Sequence, residues 1–243
     1  MMTFPIVWSY LGGGVACGDA LLTNCTFSGN SACDDGGGVA CMYGRPRLTN
    51  CILWGDTPDE IHEDPHSTTT VTRSDVQGGW PGRGNIDADP LFVDPDGPDN
   101  DPNTVEDNDY RLSSGSPCID AGNNRAVPPD ELDLDGDGDT TEPISMDLGG
   151  RLRFADRIDM PDTGVLDPNF PEFAIVDMGA FEYQFSGDLN GDGLIGEDDL
   201  FTLLDSYGLS NAIHYDDGDL DQDGDVDLSD LAALLASYGQ QCP

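Results

Sequence analysis

Twelve residues near the C-terminus, Asp188-Leu-Asn-Gly-Asp-Gly-Leu-Ile-Gly-Glu-Asp-Asp199, hold five carboxylates and one carboxamide and run straight into the apolar Leu-Phe-Thr-Leu-Leu. The stretch Asp219-Leu-Asp-Gln-Asp-Gly-Asp-Val-Asp-Leu-Ser-Asp230 repeats the pattern 31 residues later. Side-chain oxygens fall at positions 1, 3, 5 and 12 of each stretch: Asp188, Asn190, Asp192 and Asp199 in the first, Asp219, Asp221, Asp223 and Asp230 in the second. Position 6 is glycine in both, and position 7, Leu194 or Asp225, offers a main-chain carbonyl. A hard divalent cation takes roughly six to eight oxygens, and a loop of this length with glycine at its sharpest bend supplies them. Two Ca²⁺ ions are therefore expected, one per loop.

Without an ion, neighbouring carboxylates repel by about 1 kcal/mol per close pair in water and several times that when partly buried. No Arg or Lys follows Arg157, so no fixed cation of the tail offsets that repulsion. The strings LFTLLDSYG and LAALLASYG repeat Leu at i, i+3 and i+4 and close on Tyr-Gly, which predicts one short helix after each loop. Position 8, Ile195 or Val226, is apolar and β-branched, and a short strand contact between the two loops is expected there. So small a segment buries little apolar area, so metal binding is expected to be coupled to its folding.

The rest of the chain has a different character. The full 243 residues carry 48 acids against 9 basic residues, all Arg, for a formal charge of −39. That balance argues against nucleic acid as a partner, because phosphate contacts need a basic face. No apolar run approaches the roughly 18 residues that span a bilayer, so membrane insertion is not expected. The N-terminus lacks a basic leader region and reads as a cut start. Gly (31) and Pro (17) are abundant, and helical periodicity is confined to the tail, so strands, turns and loops are expected elsewhere.

Residues 12–17 read GGGVAC and so do residues 36–41; LTNC at 22–25 returns at 48–51. This is a unit of about 25 residues in tandem, with a third, degenerate copy expected in TTTVTRSDVQGGW at 68–80. Stacking the copies places Cys41 over Cys17, Cys51 over Cys25 and Asn50 over Asn24 as ladders. Core packing and disulfides both remain open for the seven Cys, including a Cys118–Cys242 pair.

The strings GGGVAC…LTNCTFSGN, NCILWGD, SDVQGGWPGRGNIDADPLFVDP, SPCIDAG (116–122) and VDMGAFEY (176–183) resemble the C-terminal part of pectate-lyase-like right-handed parallel β-helix proteins. The twinned loop-helix resembles a type I dockerin, a module that binds two Ca²⁺ and docks onto a cohesin domain. Together these resemblances imply a mainly β chain: a short right-handed parallel β-helix with a loop-rich C-terminal cap over residues 1–184, then a small α-helical dockerin-like domain over 185–243. They also imply an extracellular or cell-surface location. The partner-reading positions of the dockerin family, 10 and 11 of each loop, correspond here to Glu197 and Asp198, and to Leu228 and Ser229, which depart from the usual Ser/Thr pair.

A third acidic loop, ELDLDGDGDTTEPISMD at 131–147, places Asp133, Asp135 and Asp137 before Gly138 in Ca²⁺-loop order, but position 12 would be Ile144. A third ion and a solvated turn are both open there. For the whole chain the expected function is non-catalytic: a calcium-binding surface protein whose dockerin-like module attaches a β-helix to a cohesin-like or other surface protein, with polysaccharide as a further partner. The alternative is the C-terminal part of a secreted glycoside hydrolase or polysaccharide lyase carrying a dockerin. Carboxylate pairs cannot discriminate the two in a chain with 48 acids. His62, His66 and His214 show no ligand spacing with Cys and read as surface residues.

Overall fold

The computed structural model describes residues 3–4, 9–11, 13–97, 108–134, 136, 138–155, 160–170, 173–183, 187–189, 194–210, 218–220 and 225–240. The repeated glycines set the path of the chain. A Cβ on Gly13 would sit 2.3 Å from the Gly37 carbonyl oxygen, and one on Gly37 would sit 2.3 Å from the Thr57 nitrogen. Only glycine lets successive copies of the repeat approach so closely.

The chain opens with β1 (Thr3–Phe4) and β2 (Ser9–Leu11). The first GGGVAC copy gives β3 (Val15–Cys17), β4 (Leu21–Thr23), β5 (Thr26–Ser28) and β6 (Ala32–Asp35). The second gives β7 (Val39–Cys41), β8 (Arg47–Thr49) and β9 (Ile52–Trp54), and the third β10 (Ile61–Glu63), β11 (Thr70–Thr72) and β12 (Asp75–Val76). Equivalent strands of successive copies pair in parallel, forming sheets β1-β5-β9-β12, β3-β7-β10 and β4-β8-β11, while β2 pairs with β6. The degenerate copy expected at 68–80 is thus present as β11 and β12. Residues before the first GGGVAC add a further layer through β1 and β2, which the sequence had not marked.

Short strands alternate inward and outward, and inward residues stack in ladders: Val15, Val39 and Ile61; Leu22, Leu48 and Val71; Phe27, Leu53 and Val76. These ladders, with Cys17, Cys25, Cys41 and Cys51, form one apolar core. Cys17 and Cys41 stand in register as neighbouring thiols, and burial beside Cys25 pushes the Cys51 thiol well up. Packing, not bridging, is the role of these four in the structure. Cys242 lies outside the described residues.

Asn24 and Asn50 turn the corners between β4 and β5 and between β8 and β9 with φ of 50° and 55°, a left-handed conformation that asparagine tolerates better than most residues. At the far end of the stack Asn85 donates to the Val71 and Trp80 carbonyls and Trp80 packs on the core, so the loop at 78–88 closes that end.

Residues 108–183 do something else. The loop-rich cap expected from the sequence lies along the outward face of the β1-β5-β9-β12 sheet, where Ile52 packs with Leu112, Cys118, Ile119, Ala121 and Met178. Gly179 N–H donates to the Asn50 carbonyl and Ala180 N–H to Thr26 Oγ1. An antiparallel pair, β13 (Phe92–Asp94) and β14 (Asp109–Leu112), frames this layer. The acids of CIDAG and VDMGAFEY are its fasteners. Asp177 accepts from the Asp120 and Tyr183 amides at 2.8 and 2.7 Å, Glu182 accepts from the Asp177 amide, and fully buried Arg153 faces Glu182 at 3.7 Å.

A 3-10 turn at Asn124–Ala126 and two α-helices, α1 (Glu197–Ser206) and α2 (Leu228–Ser237), complete the described elements. The chain is therefore mainly β, with parallel sheets and two short helices. No helix of the described residues is long and apolar enough to cross a membrane.

Candidate metal centre

Both helices carry Asp at their third residue, the end of each acidic loop. Asp199 accepts from Leu189 N–H at 2.8 Å with one oxygen and from Gly196 N–H at 2.7 Å with the other. Asp230 does the same with Leu220 and Asp227, at 2.7 Å each. A carboxylate in the first turn satisfies orphan amides and opposes the positive helix end. Each acid thereby ties position 2 of its loop to the helix start. Asp227 also caps α2 by accepting from Ser229 N–H, a bond that Gly196 has no side chain to make.

The 31-residue symmetry extends through the whole unit. Gly187 and Gly218, at φ of 104° and 95°, precede the loops, and Gly208 and Gly239, at 90° and 79°, follow the helices. Leu189, Ile195 and Leu203 pack with their counterparts Leu220, Val226 and Leu234 in one small core. The position 8 residues join the halves, but not to each other as expected. Ile195 exchanges backbone hydrogen bonds with Gly239 and Gln240, after α2, and Val226 with Gly208 and Leu209, after α1. Crossed pairing places each loop against the exit of the opposite helix, which holds both side chains inside.

Asp188, Asp199, Asp219 and Asp230 are 7%, 1%, 5% and 0% exposed. Buried carboxylates need hydrogen bonds and a compensating charge. Amide donors engage both carboxylate oxygens of Asp199 and of Asp230. No Arg or Lys follows Arg157, so no fixed cation of the tail itself offsets these charges. The donor set is all oxygen, which fits a hard dication such as Ca²⁺. Leu194 and Asp225, expected to give carbonyl oxygens, are at described positions, and Asp225 bridges antiparallel to Ser210. Asn190, Asp192, Asp221 and Asp223 lie outside the described residues.

Glu197, Asp198, Leu228 and Ser229 are all exposed on the first turns of the two helices. In the third acidic loop, Asp133 has φ of 51° and accepts from Gly138 N–H at 3.0 Å, closing a turn on itself. Ile144 donates its amide to the Pro128 carbonyl, and its side chain offers no oxygen. Asp135 and Asp137 lie outside the described residues.

Two constellations escaped the linear reading. Asp35, Asp59 and His62 bring one donor atom each within 4.8 Å of one another, with His62 Nδ1 3.6 Å from Asp35. His62 is thus half-buried among acids, not a lone surface residue. Asp35 and Asp59 are one repeat apart, the only hint that the sequence held. Asp56 and Glu60 form a buried acid pair: Asn30 donates to Asp56 through its backbone and side-chain nitrogens at 2.7 and 2.8 Å. Burial pushes the Asp56 carboxyl up to about 6, and burial together with the charge of Asp56 pushes Glu60 to about 9. At neutral pH Glu60 holds its proton and can share it with Asp56.

Compared with known protein families, curated proteins and solved structures, the chain matches none.

Proposed function

We propose that the chain is a non-catalytic extracellular or cell-surface protein in which a calcium-stabilised, dockerin-like loop-helix pair at 185–243 attaches a short right-handed parallel β-helix, residues 1–184, to a cohesin-like or other surface protein. The observation that carries this reading is the duplicated clamp: Asp199 and Asp230, 31 residues apart, make the same pair of amide bonds beside buried Asp188 and Asp219, with no fixed cation in the segment. Ca²⁺ would be held by Asp188, Asn190, Asp192, Leu194 carbonyl and Asp199, and by Asp219, Asp221, Asp223, Asp225 carbonyl and Asp230. Bound there, it supplies charge compensation and fixes the loops on which the helices start. The parallel ladders of three successive copies support the β-helix. Exposed Glu197, Asp198, Leu228 and Ser229, beside exposed Phe201 and Leu235, give the helix pair an accessible surface for a protein partner.

Calorimetric titration of the full chain with Ca²⁺ tests the metal reading. Two equivalents are expected; none would refute it, and three would require a further site, at Asp133, Asp135 and Asp137 or at Asp35, Asp59 and His62. Co-elution with a recombinant cohesin domain in Ca²⁺, lost in EDTA, tests the attachment.

A further inference from the structure

A cavity of about 430 Å³ lies between the turns that follow β5 and β9 and the β13-β14 pair. Trp54, Phe92 and Tyr110 contribute its aromatic surface, Ser28 a hydroxyl, and Asp89 and Asp96 carboxylates. We infer that this cleft binds a neutral oligosaccharide, stacking a sugar ring on Trp54 and Phe92 while Asp89, Asp96 and Ser28 hydrogen-bond its hydroxyls.

The repeat builds the concavity. Ser28 and Trp54 are register partners on neighbouring strands, so they form one continuous floor. Each is followed by glycine, Gly29 and Gly55, in the left-handed region at φ of 69° and 80°. A Cβ on Gly29 would meet nothing within 4 Å, so the missing side chains leave room in place of relieving a clash. Across the gap, Phe92 and Tyr110 lock edge to face at 5.5 Å, and Tyr110 Oη takes a 2.9 Å hydrogen bond from Asn108. The far wall is thus fixed before any ligand arrives, which reduces the entropic cost of binding.

The ligand class follows from the lining. Ring faces offer an apolar body matched to the C–H face of a pyranose, and a few polar groups at set positions orient it, as in most small-molecule sites. Asp89 is held by the Leu91 amide at 2.9 Å through one oxygen, and its second remains able to accept from a hydroxyl. Among the described residues no Arg or His lines the cleft, while Asp89 and Asp96 do, so a uronate would meet like charge. Several acceptors spread around a flat apolar floor suit a ring bearing many hydroxyls better than one with a single cationic point. This cleft uses none of the metal-loop residues, so the inference stands apart from the calcium reading.

The test is calorimetry and tryptophan fluorescence on the full chain with cellohexaose, xylohexaose, hexagalacturonate and tetramethylammonium as probes, each with and without EDTA. Saturable binding of a neutral hexasaccharide, unchanged by EDTA and weakened about ten-fold or more in Trp54→Ala, is expected. Asp96→Arg, at an exposed position that does not burden folding, should weaken it as well. Binding confined to hexagalacturonate or to tetramethylammonium would overturn the inference. So would silence with every probe, or neutral-sugar binding that survives both substitutions.

Discussion

The side-chain amide of Asn50 donates to Asn24 Oδ1 at 3.3 Å, while its own oxygen accepts from Asn123 N–H at 2.8 Å. One corner residue therefore ties two copies of the repeat to the layer that covers them. Asn50 is fully buried and also donates to the Asn123 carbonyl at 3.1 Å. Truncation strands several polar groups, each at a cost of about 1–3 kcal/mol. Asn50→Ala should lower unfolding stability by about 3 kcal/mol, read from the urea midpoint, and should loosen the 118–124 segment in hydrogen exchange.

Removal of calcium should unfold α1 and α2 while sparing the parallel sheets. Binding at a thousand times the dissociation constant stabilises by about 4 kcal/mol, so EDTA removes a term comparable with the stability of a small unit. Circular dichroism at 222 nm on chelation checks this; an unchanged helical signal would contradict it. Asp230→Ala should lose one equivalent of Ca²⁺ and leave the other.

The Asp56–Glu60 pair sets a pH dependence of known sign. Both carboxyls are held above their unfolded values, so the folded chain keeps protons that the unfolded chain releases above about pH 4. Their contribution is complete below that pH and is lost as pH rises through about 6 for Asp56 and about 9 for Glu60. Glu60→Gln should gain stability relative to the parent chain steadily between pH 5 and 9, as measured by thermal melts. A constant difference across that range would refute the assignment.

Arg153 and Glu182 are 1% and 0% exposed at their side chains, and burial pushes the Glu182 carboxyl well above the usual carboxylate range while the Arg153 guanidinium draws it back down. Arg153 also donates to the Ala180 carbonyl at 3.1 Å. Arg153→Met should destabilise by about 3–5 kcal/mol, and Glu182→Gln made with it should recover part of that loss. Chemical denaturation of the single and double variants gives the coupling directly.

The sequence alone determined whatever depends on spacing along the chain. The twin acidic loops, their helices and the tandem glycine-cysteine units were all legible because the residues of one loop or one turn are neighbours in sequence. Asp188 to Asp199 maps onto Asp219 to Asp230 without any knowledge of the fold. The tertiary structure decided what meets across copies and layers. It sent Ile195 to Gly239 and Val226 to Gly208 in place of each other, laid the expected end cap along a flank, and left Trp80 and Asn85 to close the stack. It also gathered Asp35, Asp59 and His62 from adjacent turns, and Trp54, Phe92 and Tyr110 from strands tens of residues apart. Within the tandem copies parallel register follows the spacing of the repeat, as Cys41 over Cys17 shows, but the approach of the antiparallel β13-β14 pair to Trp54 depends on how a distant layer packs, a relation that no local pattern of residues encodes.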